Sequence, residues 1–336
     1  MVIATIVLLF SWTHAGLTCP AIIRSEFIVP DPSFSSSHAS TIAETPGGLV
    51  AAWFGGSREG AEDVGIWLSS HGSRGWCSPR EIATGSTDGG SRRFPCWNPV
   101  LFRRAAGELL LFFKIGPSPS TWWGMLMVSA DGGRTWSRPY RLPQGIVGPA
   151  KNKPLELEDN TLLCGSSSED AGWRVHMEWS RDPLGDWRRG PDLNSASAMS
   201  AIQPALLRHR DGRYQILCRS KQGTILESWS AAHDATSWSR LKPTVLPNPD
   251  SGIDAVTLAD GRFLLVHNPT RQGRGILRVS LSKDGKNWRT ACCLENEPDK
   301  EFSYPAVIQT KDGLVHVTYT WKRERIKHVV LDPSRF

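Results

Sequence analysis

The sequence lacks the patterns that mark several classes of protein. Long stretches with helical periodicity are absent from its 336 residues, which favours an all-β chain. Its seven cysteines are an odd number without a CxxC pair, so neither a zinc site nor a dense disulfide framework is indicated. Cys164 and Cys218 lie in apolar strand patterns and are predicted to be buried thiols. No nucleotide-binding loop or calcium-binding loop is present. We therefore expect no metal and no cofactor.

The charge balance points to an anionic partner other than nucleic acid. The formal net charge is +6, which is compatible with an acidic ligand. There is no run of lysine and arginine and no nucleic-acid-binding motif, so we expect no binding of DNA or RNA.

The first residues resemble a targeting segment. Residues 2–12 form an apolar run that is too short to span a bilayer, and Thr13-His14-Ala15 follows as a possible cleavage site. We predict a signal peptide at residues 1–15, no stable membrane insertion, and a secreted or periplasmic protein. No linker or low-complexity segment divides the rest, so residues 16–336 are interpreted as a single domain, expected to be monomeric.

One short stretch organises the remainder of the chain. Residues 129–136 read Ser-Ala-Asp-Gly-Gly-Arg-Thr-Trp. Gly132 and Gly133 permit a tight turn with positive φ, and Asp131 can accept hydrogen bonds from nearby backbone N–H groups. Trp136 can fold back as an apolar plug. The stretch is therefore predicted to be a hairpin turn that is stabilised by hydrogen bonds to its own Asp side chain.

Weaker copies of this turn recur along the chain. They end at Trp76, Trp187, Trp238 and Trp288, and the five tryptophans are separated by 60, 51, 51 and 50 residues. A fixed period of this length indicates a repeat architecture. Each unit holds about four short strands bounded by Gly, Pro, Asp and Ser turns.

Counting these units predicts the fold. Five tryptophan-ended units and a sixth made from both termini give a six-bladed β-propeller, in which residues 21–30 pair with the C-terminal strands and close the ring. Residues 315–321 alternate apolar and polar side chains, which predicts a half-buried strand.

Propellers bind ligands at one end of their axis, so candidate residues should recur once or twice per blade. Polar residues in apolar or glycine-rich contexts are the candidates; they include His38, Arg58, Glu59, Asp63, Lys151, Lys153, Glu169, Gln203, Arg219, Glu227, Arg274, Tyr304 and Arg323.

Several of these stretches resemble a known family. The turn at residues 129–136 resembles the Asp-box of sialidases, and similar segments in other blades cover the whole mature chain. The chain is most similar to sialidase-like BNR-repeat proteins, which share Trp53-Phe54-Gly55-Gly56, Trp97-Asn98-Pro99-Val100 and Lys151-Asn152-Lys153-Pro154. The resemblance implies a six-bladed propeller with Asp-box turns.

The resemblance also implies site residues. Sialidases bind the substrate carboxylate with three arginines, for which bidentate guanidinium forks are suited, and use an Asp acid/base and a Tyr nucleophile. Asp63 matches the acid/base and Tyr304 the nucleophile, while Arg219 and Arg274 match the second and third arginines.

Two positions depart from the sialidase pattern. His38 stands where the first arginine is expected, and Gln203 stands where the glutamate partner of the tyrosine is expected. Because Gln cannot act as a base, Tyr304 needs another activator, for which Glu169 and Glu227 are candidates. Lys151 and Lys153 could restore the positive charge lost at position 38.

Three functions are compatible with these residues. The first is a sialidase-like exo-glycosidase that hydrolyses a terminal acidic sugar, with Asp63 protonating the leaving oxygen and Tyr304 attacking the anomeric carbon. The second is a polysaccharide lyase that acts on a uronic acid, with His38 or Tyr304 moving the proton. The third is a glycan-binding propeller without catalysis, with Trp122 and Trp123 as a stacking platform. In each case the expected partner is an acidic glycan.

Overall fold

The computed structural model describes residues 19–87, 90, 92–231 and 234–336. These residues form strands and a 3₁₀ turn at Pro333–Arg335, and they contain no α-helix. None of the described segments forms a helix that could cross a membrane. The predicted signal peptide, residues 1–15, lies outside the described residues.

Twenty-eight strands in the described residues form six sheets of four or five strands and one small ribbon. Strands of the first and second blades are β2 (Ser36–Thr45), β3 (Gly48–Gly56), β4 (Gly65–Gly72), β5 (Gly75–Trp76) and β6 (Arg80–Ala83), then β9 (Cys96–Arg103), β10 (Leu109–Ile115), β11 (Trp123–Ser129) and β12 (Tyr140–Arg141). The ribbon between these blades consists of β7 (Ser86–Thr87) and β8 (Arg92–Arg93).

The next blades repeat the same up-and-down order. Strands of the third and fourth blades are β13 (Leu155–Glu156), β14 (Leu162–Ser168), β15 (Arg174–Asp182) and β16 (Asp186–Arg189), then β17 (Ala201–Arg208), β18 (Tyr214–Ser220), β19 (Thr224–Ala231), β20 (Asp234–Trp238) and β21 (Lys242–Pro247). Strands of the fifth and sixth blades are β22 (Asp254–Thr257), β23 (Phe263–His267), β24 (Ile276–Ser282) and β25 (Trp288–Asn296), then β26 (Phe302–Gln309), β27 (Val315–Trp321), β28 (Arg325–Leu331) and, from the other end of the chain, β1 (Ile22–Phe27).

The two ends of the chain meet in the sixth blade. Strand β1 pairs antiparallel with β28, with Ser25 opposite Val329, and the sheet order is β1-β28-β27-β26. This confirms the predicted six-bladed propeller and its closure by the N-terminal strand. A disulfide joins Cys19, just before β1, to Cys292 in the fifth blade. Cys164 and Cys218 are buried free thiols, as predicted.

The repeat tryptophans pack between blades. Trp136 contacts the apolar cluster of the first and second blades, Trp187 contacts that of the second and third, and Trp288 contacts that of the fourth and fifth. Trp76 reaches the sixth blade, where its Nε1 donates to Nδ1 of His328 at 3.2 Å. Each tryptophan therefore closes a seam that a single blade could not bury alone.

The structure contains the hydrogen bonds that were predicted to stabilise the turn at residues 129–136. The carboxylate of Asp131 accepts from the Ser129 hydroxyl at 2.8 Å, from the Arg134 N–H at 3.0 Å, and from the N–H and hydroxyl of Thr135 at 2.9 and 2.6 Å. These hydrogen bonds, those of Thr135 foremost, hold the pKa of Asp131 well below its ordinary value. Asp284 is fastened in the same way by Asn287 and Lys286.

The prediction that residues 315–321 form a half-buried strand is wrong. Residues 315–320 of β27 are all buried, on both faces, because neighbouring blades cover the sheet from either side. The polar residues of the alternation face another blade: the Thr320 hydroxyl accepts from the Ala39 N–H at 3.1 Å, and the Ser40 hydroxyl donates to Thr318 at 3.0 Å. Period-two alternation here reflects polar inter-blade contacts rather than exposure to solvent.

The innermost strands bulge at one end of the axis. Ala39, Asn98, Gln203 and Tyr304 have φ values between 34° and 57° although none is glycine. In β2, β17 and β26 the pairing register shifts at the same point. A bulge redirects the side chains that follow it. The conformation recurs in four blades at the end opposite the Asp-box turns, and this end holds the candidate site.

Candidate active site

Tyr304 lies at the bulge of β26 beside the propeller axis. Its backbone adopts a left-handed φ of 51°. The backbone of Gly252 approaches its ring so closely that a Cβ at that position would lie 3.3 Å from the ring. The Tyr304 hydroxyl accepts a hydrogen bond from Nη1 of Arg219 at 2.6 Å. This hydrogen bond fixes the phenol oxygen against the guanidinium of Arg219.

Arg219 is held between several groups. Its side chain is 6% exposed, and Nη1 also donates to Oε1 of Gln203 at 3.3 Å. Nε and Nη2 both donate to Oδ1 of Asp250, at 3.0 and 2.7 Å. The ring of Trp173 lies 5.0 Å from the guanidinium carbon. The structure thus brings three predicted site residues, Tyr304, Arg219 and Gln203, into one hydrogen-bonded group.

Arg274 joins the same group through the backbone. Its Nη2 donates to the carbonyl of Asp250 at 2.7 Å, and its Nη1 donates to Oε1 of Glu301 at 3.1 Å. Asp250 therefore lies between the two arginines that the sequence assigned to carboxylate binding.

A third guanidinium comes from the turn between β27 and β28. Arg323 donates through Nε to Oε2 of Glu301 at 2.8 Å and forms an ion pair with Glu59 from the first blade. Its carbonyl accepts from the N–H of Ser37, next to His38. Burial raises the pKa of Glu301, but the hydrogen bond and charge of Arg323 outweigh it, and the pKa lies below its ordinary value.

His38 lies within this ring of cations. It is 1% exposed, its ring centre is 4.3 Å from that of Tyr304, and neither ring nitrogen has a hydrogen-bond partner among the described residues. Burial, followed by the charges of Arg323, Arg274, Arg219 and Lys151, lowers its pKa well below the ordinary value. A lowered pKa favours the neutral imidazole, and both of its buried nitrogens lack a hydrogen-bond partner among the described residues.

Glu169 lies close to Arg219 and Trp173. Burial raises its pKa, although the charge of Arg219 and a hydrogen bond from Trp173 oppose the rise. A partly buried carboxyl group with a raised pKa beside a guanidinium is a candidate for a functional acid or base.

Asp63 and Arg58 lie in the exposed loop after β3. The Asp63 carboxylate accepts from the N–H and hydroxyl of Ser57, at 2.8 and 2.9 Å. Burial raises its pKa, but the Ser57 hydrogen bonds dominate, and the pKa lies below its ordinary value. Arg58 is exposed. The roles predicted for both stay predictions.

Lys151 and Lys153 connect blades along the axis. Nζ of Lys151 donates to the carbonyls of Ile253, at 2.9 Å, and Pro305, and to Oδ1 of Asn152. Burial lowers the pKa of Lys151 to about 7. Nζ of Lys153 lies 3.0 Å from Asp254. Both ammonium groups already have protein acceptors, and their substrate-binding role stays a prediction.

The structure does not bring Glu227 to Tyr304. Its carboxylate accepts from Nε2 of Gln215 at 2.7 Å, and the same nitrogen donates to the carbonyl of Gly285 in an Asp-box turn. Glu227 therefore points toward the other end of the propeller. In the described ranges no group of three or more His, Cys, Asp or Glu side chains is arranged to hold a metal ion.

Three residues of the site were not assigned from the sequence: Trp173, Asp250 and Glu301. Glu59 and Arg323 stood out only as polar residues of the first and last blades. The segment Asn248-Pro249-Asp250-Ser251-Gly252 carries a strong turn signal, which marks a loop at a blade junction but not the arginines that the loop would meet.

Comparison with protein families gives a match to the BNR repeat-like domain over residues 47–317. No curated protein matches the chain significantly.

Solved structures share the architecture at low sequence identity. A protein of unknown function from Dyadobacter fermentans is 13% identical with a TM-score of 0.75, covering 93% of this chain and 98% of its own. The NanB sialidase of Streptococcus pneumoniae is 12% identical with a TM-score of 0.71, covering 90% and 69%. An α-L-arabinanase of Penicillium chrysogenum is 17% identical with a TM-score of 0.67, covering 93% and 99%. At these identities the likeness shows the fold alone.

Proposed function

Because the chain belongs to the BNR repeat-like domain family, we propose that it is a sialidase-type glycoside hydrolase that releases a terminal acidic sugar from a glycan. The observation that carries the proposal is the hydrogen bond from Arg219 to the Tyr304 hydroxyl within a group of three guanidiniums. A nucleophilic oxygen and several anion-binding forks at one point suit a sugar that carries a carboxylate next to its anomeric carbon.

The reaction proceeds in two steps. The Tyr304 oxygen bonds to the anomeric carbon as the glycosidic C–O bond breaks, and the leaving oxygen takes a proton from Asp63. Water then displaces the tyrosine, giving its proton to Asp63 and forming the free sugar. Arg219 stabilises the phenolate at both stages, from 2.6 Å.

The Tyr304 proton needs an acceptor, because Gln203 cannot be a base. We assign this role to Glu169, whose pKa is raised by burial and which lies beside Arg219. Asp63 has to leave Ser57 before it can protonate the leaving oxygen, so the loop after β3 would rearrange around the substrate.

The disulfide between Cys19 and Cys292 supports the predicted secretion. Disulfides persist in secreted and periplasmic proteins and are rare in the cytosol.

The proposal is tested by turnover of an aryl α-sialoside. Wild-type protein should release the aryl alcohol, and Tyr304→Phe and Asp63→Asn should each reduce kcat/KM by at least about a hundredfold. Tyr140→Phe is the matched control, because Tyr140 lies exposed on β12. Tyr304→Phe that retains wild-type activity would refute the assigned nucleophile.

A second candidate function is favoured by His38. A buried neutral imidazole without a partner, 4.3 Å from Tyr304 between ring centres, could take the proton next to a uronic acid carboxylate. The pair of electrons from that C–H bond would form a C=C bond as the C–O bond on the next carbon breaks, and Tyr304 would protonate the departing oxygen. Folded protein without sialosidase activity that produces ultraviolet-absorbing products from uronic-acid polysaccharides would establish the lyase. Glycan binding without turnover of either kind would indicate a binding propeller.

A further inference from the structure

The carboxylate of Asp250 sits where a ligand carboxylate would be expected. Oδ1 accepts from Nε and Nη2 of Arg219 at 3.0 and 2.7 Å, and the backbone carbonyl of the same residue accepts from Nη2 of Arg219 at 3.0 Å and of Arg274 at 2.7 Å. One residue thus takes four hydrogen bonds from the two arginines assigned to the acidic sugar.

The charge of the group is balanced without any ligand. Arg219 is paired with Asp250, Arg274 with Glu301, and Arg323 with Glu301 and Glu59. A substrate carboxylate that joined this group would meet three carboxylates as well as three guanidiniums. Either the ligand binds outside the forks or one internal carboxylate leaves.

Asp250 is the internal carboxylate best placed to leave. Its side chain is 38% exposed, compared with 35% for Glu59 and 27% for Glu301, and of these three carboxylates only that of Asp250 is bonded to Arg219. Its neighbours hold the backbone in place: Asn248 and Ser251 are both fully buried and exchange hydrogen bonds with one another, and Ser251 is also bonded to Asn268. The side chain can therefore rotate into solvent while the loop stays fixed.

The backbone of Asp250 fits this interpretation. Its φ is 58°, in the left-handed region, which Asp and Asn adopt more readily than other non-glycine residues. The conformation directs the carbonyl toward both arginines and the carboxylate toward Arg219. Asn and Gly both tolerate this φ, so substitution by either should leave the loop intact.

We propose that the carboxylate of Asp250 occupies the Arg219 side of the Arg219–Arg274 clamp in the free protein and is displaced from Arg219 by the carboxylate of the bound sugar. The inference rests on the proposed function in taking these arginines as the carboxylate-binding pair. Asp250 then sets how strongly the site selects acidic ligands, because every acidic ligand has to compete with it.

The test is binding, measured by calorimetry at pH 7, so that it does not depend on turnover. The probes are N-acetylneuraminic acid and glucuronic acid, each beside its methyl ester. Asp250→Asn should bind at least one acid about tenfold more tightly than wild type, a difference of about 1.4 kcal/mol. The affinities of both proteins for the methyl esters should be the same. Asp250→Gly should act in the same direction. Asp186→Asn, which removes an exposed carboxylate from the third blade, is the control and should bind like wild type.

Unchanged or weaker binding of both acids to Asp250→Asn would overturn the inference, since Asp250 would then be a fixed support for Arg219. If neither variant folds, a structure of wild-type protein with the acid decides. The ligand carboxylate on Arg219 with Asp250 rotated away supports displacement, and a ligand carboxylate elsewhere, or none bound, overturns it. If Asp250→Asn binds the acids more tightly but the wild-type protein has no sialosidase activity, the displacement of Asp250 is supported and the proposed hydrolase is refuted. If the wild-type protein has sialosidase activity but Asp250→Asn binds the acids no more tightly, the hydrolase is supported and the displacement is refuted.

Discussion

The disulfide between Cys19 and Cys292 is expected to contribute much of the stability of the ring. Cys19 precedes β1, the strand that closes the sixth blade, and Cys292 lies in the fifth blade, so the bond fixes the start of the closing strand to the neighbouring sheet. Cys19→Ser removes this link. It leaves the β1–β28 pairing to hold the closing strand by itself.

The separation of the two cysteines sets the size of the effect. They are 273 residues apart, and a loop of that length corresponds to about 5 kcal/mol of chain entropy at 25 °C, an upper bound because unfolded chains keep some structure. We expect Cys19→Ser to lower the free energy of unfolding by about 3 to 5 kcal/mol. With an unfolding entropy of about 2.1 cal/mol/K per residue, this lowers Tm by about 4 to 7 °C.

Thermal unfolding followed by tryptophan fluorescence, with and without a reductant, measures the change. Wild type in reductant should unfold like Cys19→Ser, and the reductant should leave Cys19→Ser unaffected. Cys77→Ser, which changes an exposed free thiol, should match wild type. Peptide mapping should recover Cys19 linked to Cys292 rather than to the adjacent Cys293. Equal Tm values for all three proteins in oxidising buffer would refute the assigned role of the bond.

Three further predictions concern the axis, the turns and His38. Lys151→Met leaves the acceptor oxygens on Asn152, Ile253 and Pro305 without their donor. Its Tm should therefore fall more than that of Lys283→Met, a control at an exposed site. An unchanged Tm with a raised KM would instead support the predicted contact of Lys151 with substrate. The hydrogen bonds in the Asp-box turns lower the pKa values of Asp131 and Asp284 in the folded state, so their stabilisation is present above the unfolded value of 3.8 and is lost as the pH falls through the folded values. Tm should therefore decline below about pH 4, and less steeply in Asp131→Asn/Asp284→Asn; equal slopes would contradict this. Burial lowers the pKa of His38, so its imidazole NMR signals should not titrate down through pH 6.5, unlike those of a solvent-exposed histidine, and a titration midpoint near 6.5 would contradict its neutral state.

The sequence was sufficient to predict the fold because the same turn motif recurs in five of the six blades. Each Trp-ended turn is local, and the glycines, the Asp and the Trp act within eight residues. The one clear error in the predicted strands, the burial of residues 315–321, arose because the alternation was interpreted as one solvent-exposed face. In a propeller both faces of a blade are covered, and polar residues such as Thr318 and Thr320 serve contacts between blades.

The candidate site was only partly predictable. Tyr304, Arg219, Gln203, Arg274 and His38 were identified by resemblance, and the structure brings them together at the bulged end of the axis. Asp250, Glu301 and Arg323 could not be identified in the same way, because each lies in a loop outside the segments that carry the resemblance and meets its partners only in the folded propeller. The ion pair between Arg323 of the sixth blade and Glu59 of the first forms only when the ring is closed.

The two departures from the sialidase pattern compensate each other in charge. The pattern has a cationic Arg at position 38 and an anionic Glu at position 203, whereas this chain has a neutral His and a neutral Gln, so the sum at the two positions is unchanged. Arg323 places a guanidinium near His38, and its charge is the largest cause after burial of the lowered pKa of His38. Proton transfer is not compensated in the same way, because Gln203 accepts a hydrogen bond from Arg219 but cannot take a proton from Tyr304. Under the proposed function, the two positions together keep the charge of the sialidase pattern, and the acid–base role falls to other residues, for which Glu169 beside Arg219 and His38 beside Tyr304 are the candidates.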